Sequence, residues 1–352
     1  MHWFCLLIPL LLCIIARIKY QKEITFFEFS LCVLASFLVM FFFTWIAGMA
    51  MTIDDELQSG YVVGKEYIPE HTETYVDTHT DANGNSHTET HTITVPDDWD
   101  IYMDYRITRT DTRGASYGGE SIGCLMGVNA DVDESYYNRT SLGEYACWWK
   151  IYMNPLKKNT KAFFDDEKWK NYRDKIVPHP RVYDYRKVRR IISPDGVQFK
   201  DNNDEINMMN SALNSTGINL GFVFTRLPHD YSDALRNKWL GGNRNDFVIV
   251  CFVDDKNVIT WVDPIGWGNE YLKVKVRDTI LNGDFDTSQT SELLKIVFDA
   301  VKTDKFIVEN FDKFDYLRIY LKLWQVILLC VLNIGITLGL LYYCRENDYD
   351  NY

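Results

Sequence analysis

Two carboxylates and a set of histidines are the residues of this chain whose types and spacing bear on chemistry. Asp246 and Glu270 fall at the ends of neighbouring strand candidates, where the loops of an α/β sheet often meet. Two carboxylates there could hold a hard cation such as Ca²⁺ through oxygen ligands. The plainer reading, preferred over catalysis, has Asp246 capping a loop and Glu270 in solvent. His79, His87 and His91, with His71 just upstream, occupy a Thr-rich stretch centred on Asn83-Gly84. If those two residues form a two-residue hairpin turn, His87 and His91 share one face of a ribbon while His79 points to the other. The imidazoles then fail to converge. With no Cys beside them and Thr between them, solvated ribbon residues are expected in place of a metal site. No Ser-His-Asp or Cys-His arrangement is legible, and no phosphate-cradling glycine loop precedes a helix, so no catalytic residue is assigned.

Composition narrows the setting of these residues. The chain has 352 residues, 47% hydrophobic and 15% aromatic, which excludes disorder as its main state. Thirty-seven basic against 49 acidic side chains give a net charge of -12, which repels phosphate backbones and argues against a nucleic-acid partner. Eight scattered cysteines without a Cys-x-x-Cys pair suit neither a disulfide scaffold nor a zinc site. Cys124 and Cys147 could bridge outside the cytoplasm or stay as reduced buried thiols, and both readings stand. The sequon Asn138-Arg139-Thr140 has meaning only in a eukaryotic secretory pathway.

Apolar blocks flank a polar middle. Leu323 to Tyr343 carries no formal charge and is long enough to cross the ~30 Å hydrocarbon layer. Phe29 to Met51 is equally uncharged, with Trp45 near one end where an indole favours the headgroups. The block from Trp3 to about Ala16 is shorter, but its basic residues, Arg17, Lys19 and Lys22, follow it and do not precede it. An uncleaved hairpin of residues 1–51 is therefore favoured over a signal peptide. Because basic loops stay inside, the middle of the chain is expected outside the cytoplasm and the tail, residues 344–352, inside. Lys313, Arg318 and Lys322 before the last span oppose this, and the early helices are given precedence.

The middle is expected to hold a β-rich domain over 52–190, an α/β domain over 191–305 and a linker over 306–322. The first is rich in Thr, Tyr and Trp, and the aromatic density around Trp148-Trp149 and Trp169 indicates a packed core. In the second, a helix near Asp204 to Leu213 is followed by a strand over 218–225. A helix from Pro228 to Leu240 comes next, and then the continuous apolar run Phe247 to Val253, which suits a central strand buried on both faces. A return strand over 258–262 and a helix over 291–301 complete an α-β-α-β-β-α order, a sheet between helices.

Several phrases in this order resemble the TPM-domain family over residues 181–303. They are Val182-Tyr183-Asp184-Tyr185, Ser215-Thr216-Gly217 before a strand, Trp239 with Gly241, Asn245 and Asp246, and Gly266-x-Gly268-x-Glu270. Phe247 stands where the family has Gly, the return strand carries extra residues including Asp263-Pro264, and Asp278 is the nearest match to the next family acid. The stretch Val62 to Thr72 resembles uncharacterised bacterial and phage membrane proteins. The resemblance implies a TPM-like α/β/α sandwich beside the β-rich domain, and Asp246, Glu270 and Asp278 as metal ligands. It also implies a place beside membrane complexes. The expectation is a membrane-anchored binding or assembly module with three spanning helices, a bilayer and a membrane protein as partners. Gly335 and Gly339, four apart in the last span, permit close helix approach. A weak divalent-cation-dependent phosphatase is the alternative.

Overall fold

A computed structural model describes residues 3–20, 24–80, 86–104, 134–165, 167, 169–184 and 187–346. The chain is mixed α/β and divides into two compact units. One comprises residues 1–53, 154–162 and 311–352, and the other 54–153 and 163–310.

A 3-10 turn (Trp3–Leu6) leads into α1 (Leu7–Lys19), and α2 (Phe26–Thr52) follows. The start of α2 is fixed by a reciprocal cap. The Thr25 hydroxyl accepts from the Glu28 amide at 3.3 Å, and the Glu28 carboxylate accepts from the Thr25 amide at 2.7 Å. No glycine or proline stop follows, and β1 (Ile53–Ile68) leaves the helix directly.

Beyond β1 an exposed ribbon, β2 (His71–Thr80) and β3 (Ser86–Val95), projects before the chain returns as β4 (Asp98–Met103). After α3 (Glu134–Arg139), β5 (Tyr145–Met153) completes a three-stranded sheet in the order β4-β1-β5. The ribbon was expected, but its register differs. Thr80 pairs with Ser86, so five residues, 81–85, connect the strands in place of two. That shift places His79 directly opposite His87 and Tyr75 opposite His91. All four ribbon histidines therefore share one face, because a one-residue slip moves a side chain across the sheet. Asn83-Gly84 and Cys124 lie outside the described residues.

In the rest of this unit, β6 (Val182–Asp184) pairs with β7 (Lys187–Val188). Then come β8 (Ile191–Ile192), α4 (Asn203–Ala212), β9 (Asn219–Thr225), α5 (Tyr231–Lys238), β10 (Asp246–Val253) and β11 (Ile259–Gly266). Two helices, α6 (Glu270–Leu281) and α7 (Thr290–Asp304), end the unit. The sheet order is β11-β10-β9-β8, with β8, β9 and β10 parallel and β11 antiparallel at an edge. As the continuous apolar run required, every residue of β9 and β10 is buried. On one face Phe222, Phe224, Phe247 and Ile249 pack with Ile206 of α4, Val276 of α6 and Val297 of α7. On the other, Val223, Val248 and Val250 meet Tyr231 and Leu235 of α5.

Two features differ from expectation. Strand β11 runs on to Gly266 through Pro264, which an edge strand tolerates because one side of its ladder is unpaired. Helix α6 was not anticipated. Its alternating Tyr271-Leu272-Lys273-Val274-Lys275-Val276 imitates a strand, while Leu272, Val276 and Ile280 at helical spacing form the buried face.

In the other unit, α8 (Leu323–Glu346) packs along α1 and α2. Cys13, Cys32, Leu341 and Cys344 meet at one end of this bundle, and Cys5, Met40, Leu321 and Leu329 at the other. Between them the Ser36 and Thr337 hydroxyls hydrogen-bond at 2.8 Å. Helices α1 and α8 thus both run antiparallel to α2. Arg345 at the end of α8 lies over the Tyr20 ring at 5.0 Å, beside the α1–α2 connection. The outward faces are apolar, with Phe37, Phe41, Trp45, Ile327, Val331 and Leu338 all exposed. Among the described residues, α2 and α8 are long and apolar enough to cross a membrane. At 13 residues, α1 is shorter than these two helices.

The burial of β10 generates a labelling prediction. With the full chain in detergent, Cys251 stays unmodified by a maleimide until denaturant unfolds the sheet, as read by peptide mass mapping. Modification of Cys251 in the native protein would remove β10 from the sheet centre.

Candidate functional site

Strands β9 and β10 begin in register, Asn219 beside Asp246, at the amino edge of the parallel sheet. Both first residues are polar, and both are buried. The Asp246 carboxylate is fully engaged. Its Oδ2 accepts from His179 Nε2 at 2.6 Å and from the Asn243 amide at 2.6 Å, while Oδ1 accepts from Asn219 Nδ2 at 2.6 Å. Asn219 in turn presents its Oδ1 to the Arg190 guanidinium. Arg190, just before β8, also donates to Asn207 Oδ1 of α4 at 2.9 Å and to Ser59 Oγ of β1 at 2.7 Å.

The result is a chain of charge and amide from His179 through Asp246 and Asn219 to Arg190. Arg190 is 1% exposed, and among the described residues its hydrogen-bond partners are neutral side chains. Burial pushes its pKa down to about 10, against the pull of nearby Cys147 and Asp246, so it remains charged at neutral pH. The Asn219 amide links the guanidinium to the carboxylate and serves both with opposite ends. For His179, burial draws the pKa down. The Asp246 charge and hydrogen bond, with a further bond to the Pro180 carbonyl, outweigh that and leave it above the usual imidazole value. Trp239 of the α5 end packs edge-on against the ring, at 5.2 Å between centroids.

Backbone around the carboxylate is shaped to fit. Gly241 and Gly242 both have positive φ, and a Cβ on Gly242 would stand 2.7 Å from Asp246 Oδ2. On β11, a Cβ on Gly266 would stand 2.3 Å from the Asp246 carbonyl oxygen. Gly242 and Gly266 leave room for the buried acid.

A second buried pair lies in the same unit. Arg244, in the loop into β10, clasps Glu56 of β1 through Nε at 2.6 Å and a second nitrogen at 3.1 Å. Gln58 adds a hydrogen bond to Glu56 at 2.8 Å, and the Tyr152 ring lies 4.3 Å from the guanidinium. Burial, then the carboxylates of Asp54 and Glu56, holds the Tyr152 phenol well above its ordinary value. Asn245 donates to the carbonyls of Leu57 and Gly217, each at 2.8 Å. Strand β1 is thereby bonded to the amino edge of the α/β sheet by Glu56, Leu57 and Ser59.

The three expected metal ligands have different surroundings. Asp246 is buried and surrounded by donors. Glu270 opens α6 with its side chain 78% exposed and pairs with Lys273 at 2.8 Å. Asp278, on the same helix, pairs with Arg277 at 3.0 Å. Among the described residues, no group of three or more His, Cys, Asp or Glu side chains is placed to hold a metal ion. The carboxyl ends of the parallel strands, where α/β sheets usually bind ligands, are taken up by turns. Asp195 accepts from the Arg226 amide at 2.7 Å and from Thr225 Oγ1 at 3.2 Å. Asp254 accepts from the Lys256 and Val258 amides at 2.9 Å each.

Sequence reasoning missed His179, Arg190, Asn219, Glu56 and Arg244. The one available signal was the frame Pro178-His179-Pro180, which fixes the backbone on both sides of a histidine. Comparison with family models, curated proteins and solved structures finds no match. The arrangement itself is suited to holding charge in place. Each Asp246 oxygen is bonded, and the His179 ring is engaged by Asp246 and Pro180, so both side chains are taken up internally.

A raised His179 pKa sets the sign of a pH effect. Its contribution is fully present below the unfolded-chain value, ~6.5, and is lost as pH rises through the higher folded value. Urea unfolding of the full chain in detergent should therefore show a lower midpoint at about pH 8.5 than at about pH 6. Asp246→Asn should flatten this difference and destabilise by about 3–5 kcal/mol. An unchanged pH difference in the variant would remove Asp246 as its cause.

Proposed function

We propose that this chain is a membrane-anchored, TPM-like binding or assembly module, acting beside another membrane protein. Its polar middle lies outside the cytoplasm and its C-terminal tail inside. The observation that carries the reading is the bundle of α1, α2 and α8, whose side chains are apolar on the outward faces as well as between helices. Soluble proteins rarely expose apolar surface so continuously, and lipid is the solvent that suits it.

The end of α2 and the start of α8 lie at the same end of the bundle, which supports a reading with the intervening residues on one side of the membrane. The α1–α2 connection and the end of α8 share the other side, joined by Arg345 over Tyr20. Arg17 and Lys19 are there, and basic connections remain cytoplasmic. Together with its preceding 3-10 turn, α1 covers 17 residues, and it packs from the level of Leu329 to that of Cys344. It accompanies the other two helices through the bilayer as a third span.

Assembly is favoured over catalysis by how the ionisable groups are used. Asp246, Glu56 and Arg244 are consumed in internal pairs, and Glu270 and Asp278 pair locally in solvent. An outer strip of α8 offers a lateral contact, since a Cβ on Gly335 or Gly339 would meet nothing within 4 Å. A partner helix can approach closely there.

Two measurements test this reading. Protease added to intact cells should digest the middle residues and spare α8 and the tail, whereas digestion only after lysis would reverse the orientation. Replacing Gly335 and Gly339 together by Leu should leave insertion intact and abolish cross-linking of α8 to neighbouring membrane proteins. Unchanged cross-linking in that variant would remove the lateral-contact reading.

A further inference from the structure

The ribbon of β2 and β3 divides its chemistry between two faces. One carries Thr72, Thr74, Val76, Thr78 and Thr80 opposite Thr94, Thr92, Thr90, Thr88 and Ser86. The other carries every ionisable side chain of the two strands. Towards the connection of the strands, Asp77 faces Glu89 and, two residues on, His79 faces His87. Residues two apart on a strand share a face, so these two cross-strand pairs are adjacent and form one quartet.

We propose that this quartet binds a divalent transition-metal ion of the Zn²⁺ class, with His79 and His87 as the nitrogen ligands and Asp77 and Glu89 as the carboxylate ligands. Directly opposed residues have Cβ atoms about 4.5–5.5 Å apart, which lets two imidazoles close on one ion with metal–nitrogen bonds of about 2.0–2.1 Å. Two imidazoles with carboxylate oxygens suit Zn²⁺, Ni²⁺ or Cu²⁺, whereas Ca²⁺ takes oxygen donors alone. As the side chains stand, they already associate along the face. His79 Nε2 lies 3.2 Å from Asp77 Oδ2 and His91 Nε2 lies 3.7 Å from Glu89 Oε2. No three donors yet surround one point among the described residues. All four side chains of the quartet are exposed, so they turn towards one point by rotation about χ1 and χ2 in solvent. The other ribbon histidines are not ligands: His91 is stacked on Tyr75 at 5.2 Å, and His71 lies eight residues, about 27 Å, along the strand from His79.

Holding an ion here ties the two strands together beside their connection, a cross-link independent of the buried cluster around Asp246. The test is calorimetric titration of Zn²⁺ into the full-length, detergent-solubilised chain, carrying no added histidine tag and stripped by a chelator. The parent should bind one ion that His79→Ala with His87→Ala abolishes. Asp77→Asn with Glu89→Gln should weaken binding by about 10- to 100-fold, and His71→Ala should leave it unchanged. Circular dichroism confirms that each variant is folded, which is expected because every altered side chain is exposed. A parent that does not bind Zn²⁺, or a folded His79→Ala, His87→Ala protein that binds it as the parent does, would overturn the proposal.

Discussion

A carboxylate placed at the first residue of a central, fully buried strand must be neutralised and hydrogen-bonded, and the architecture around Asp246 follows from that demand. An unpaired buried charge costs several kcal/mol, enough to unfold a marginally stable domain. Each neighbour of Asp246 answers part of it. His179 supplies a proton-bearing ring, the Asn243 amide a backbone donor, and Asn219 a link to the Arg190 charge. The glycines at 242 and 266 are needed because a side chain at either would collide with the acid or its carbonyl. Since Arg190 also bonds Ser59, the same network fixes β1 to the α/β sheet. One charge at a strand start thereby sets the position of four separate segments.

The polar cluster and the apolar bundle solve opposite solvation problems. In the globular unit, charge is hidden from water and satisfied internally. In the helical unit, apolar surface is displayed, and polarity is withdrawn to contacts such as Ser36 with Thr337 and Thr25 with Glu28. Such an inside-out arrangement is stable where the surroundings are hydrocarbon, because exposed Phe and Leu then lose nothing while buried hydroxyls pair across helices. The reciprocal cap on α2 satisfies backbone amides that a helix start leaves without an intrahelical partner.

How much of this was legible in the sequence depended on whether the signal was local. The continuous apolar run of β10 and the uncharged run of α8 stand out because neither alternates apolar with polar residues. Helix α6 was hidden by Lys273-Val274-Lys275-Val276, whose alternation of two obscured the spacing of four that packs. The buried cluster was illegible for a different reason. Its members lie at positions 59, 179, 190, 207, 219 and 246, and no spacing along the chain marks residues that only the parallel register of β8, β9 and β10 brings together. Asp246 was singled out as a possible cation ligand or a loop cap. Its meaning changed because the sheet edge that receives it holds internal donors where open coordination sites were expected.

The ribbon shows how a single residue of register can reverse a chemical conclusion. With a two-residue turn, His79 and His87 would stand on opposite faces. With the observed five-residue connection they become direct partners, and the acids beside them become partners too. Asn83-Gly84 is a strong signal that a turn occurs, but it constrains the strands only if both residues occupy its centre alone. In the two-residue register the Thr side chains of each strand would share a face with the His and acid side chains of the other, whereas in the observed register Thr pairs with Thr. The His and acid side chains are then gathered on one face, with contacts such as the stacking of Tyr75 on His91. In a strand pair without a buried side, polar cross-strand pairs take over from the hydrophobic core as the agents that choose the register.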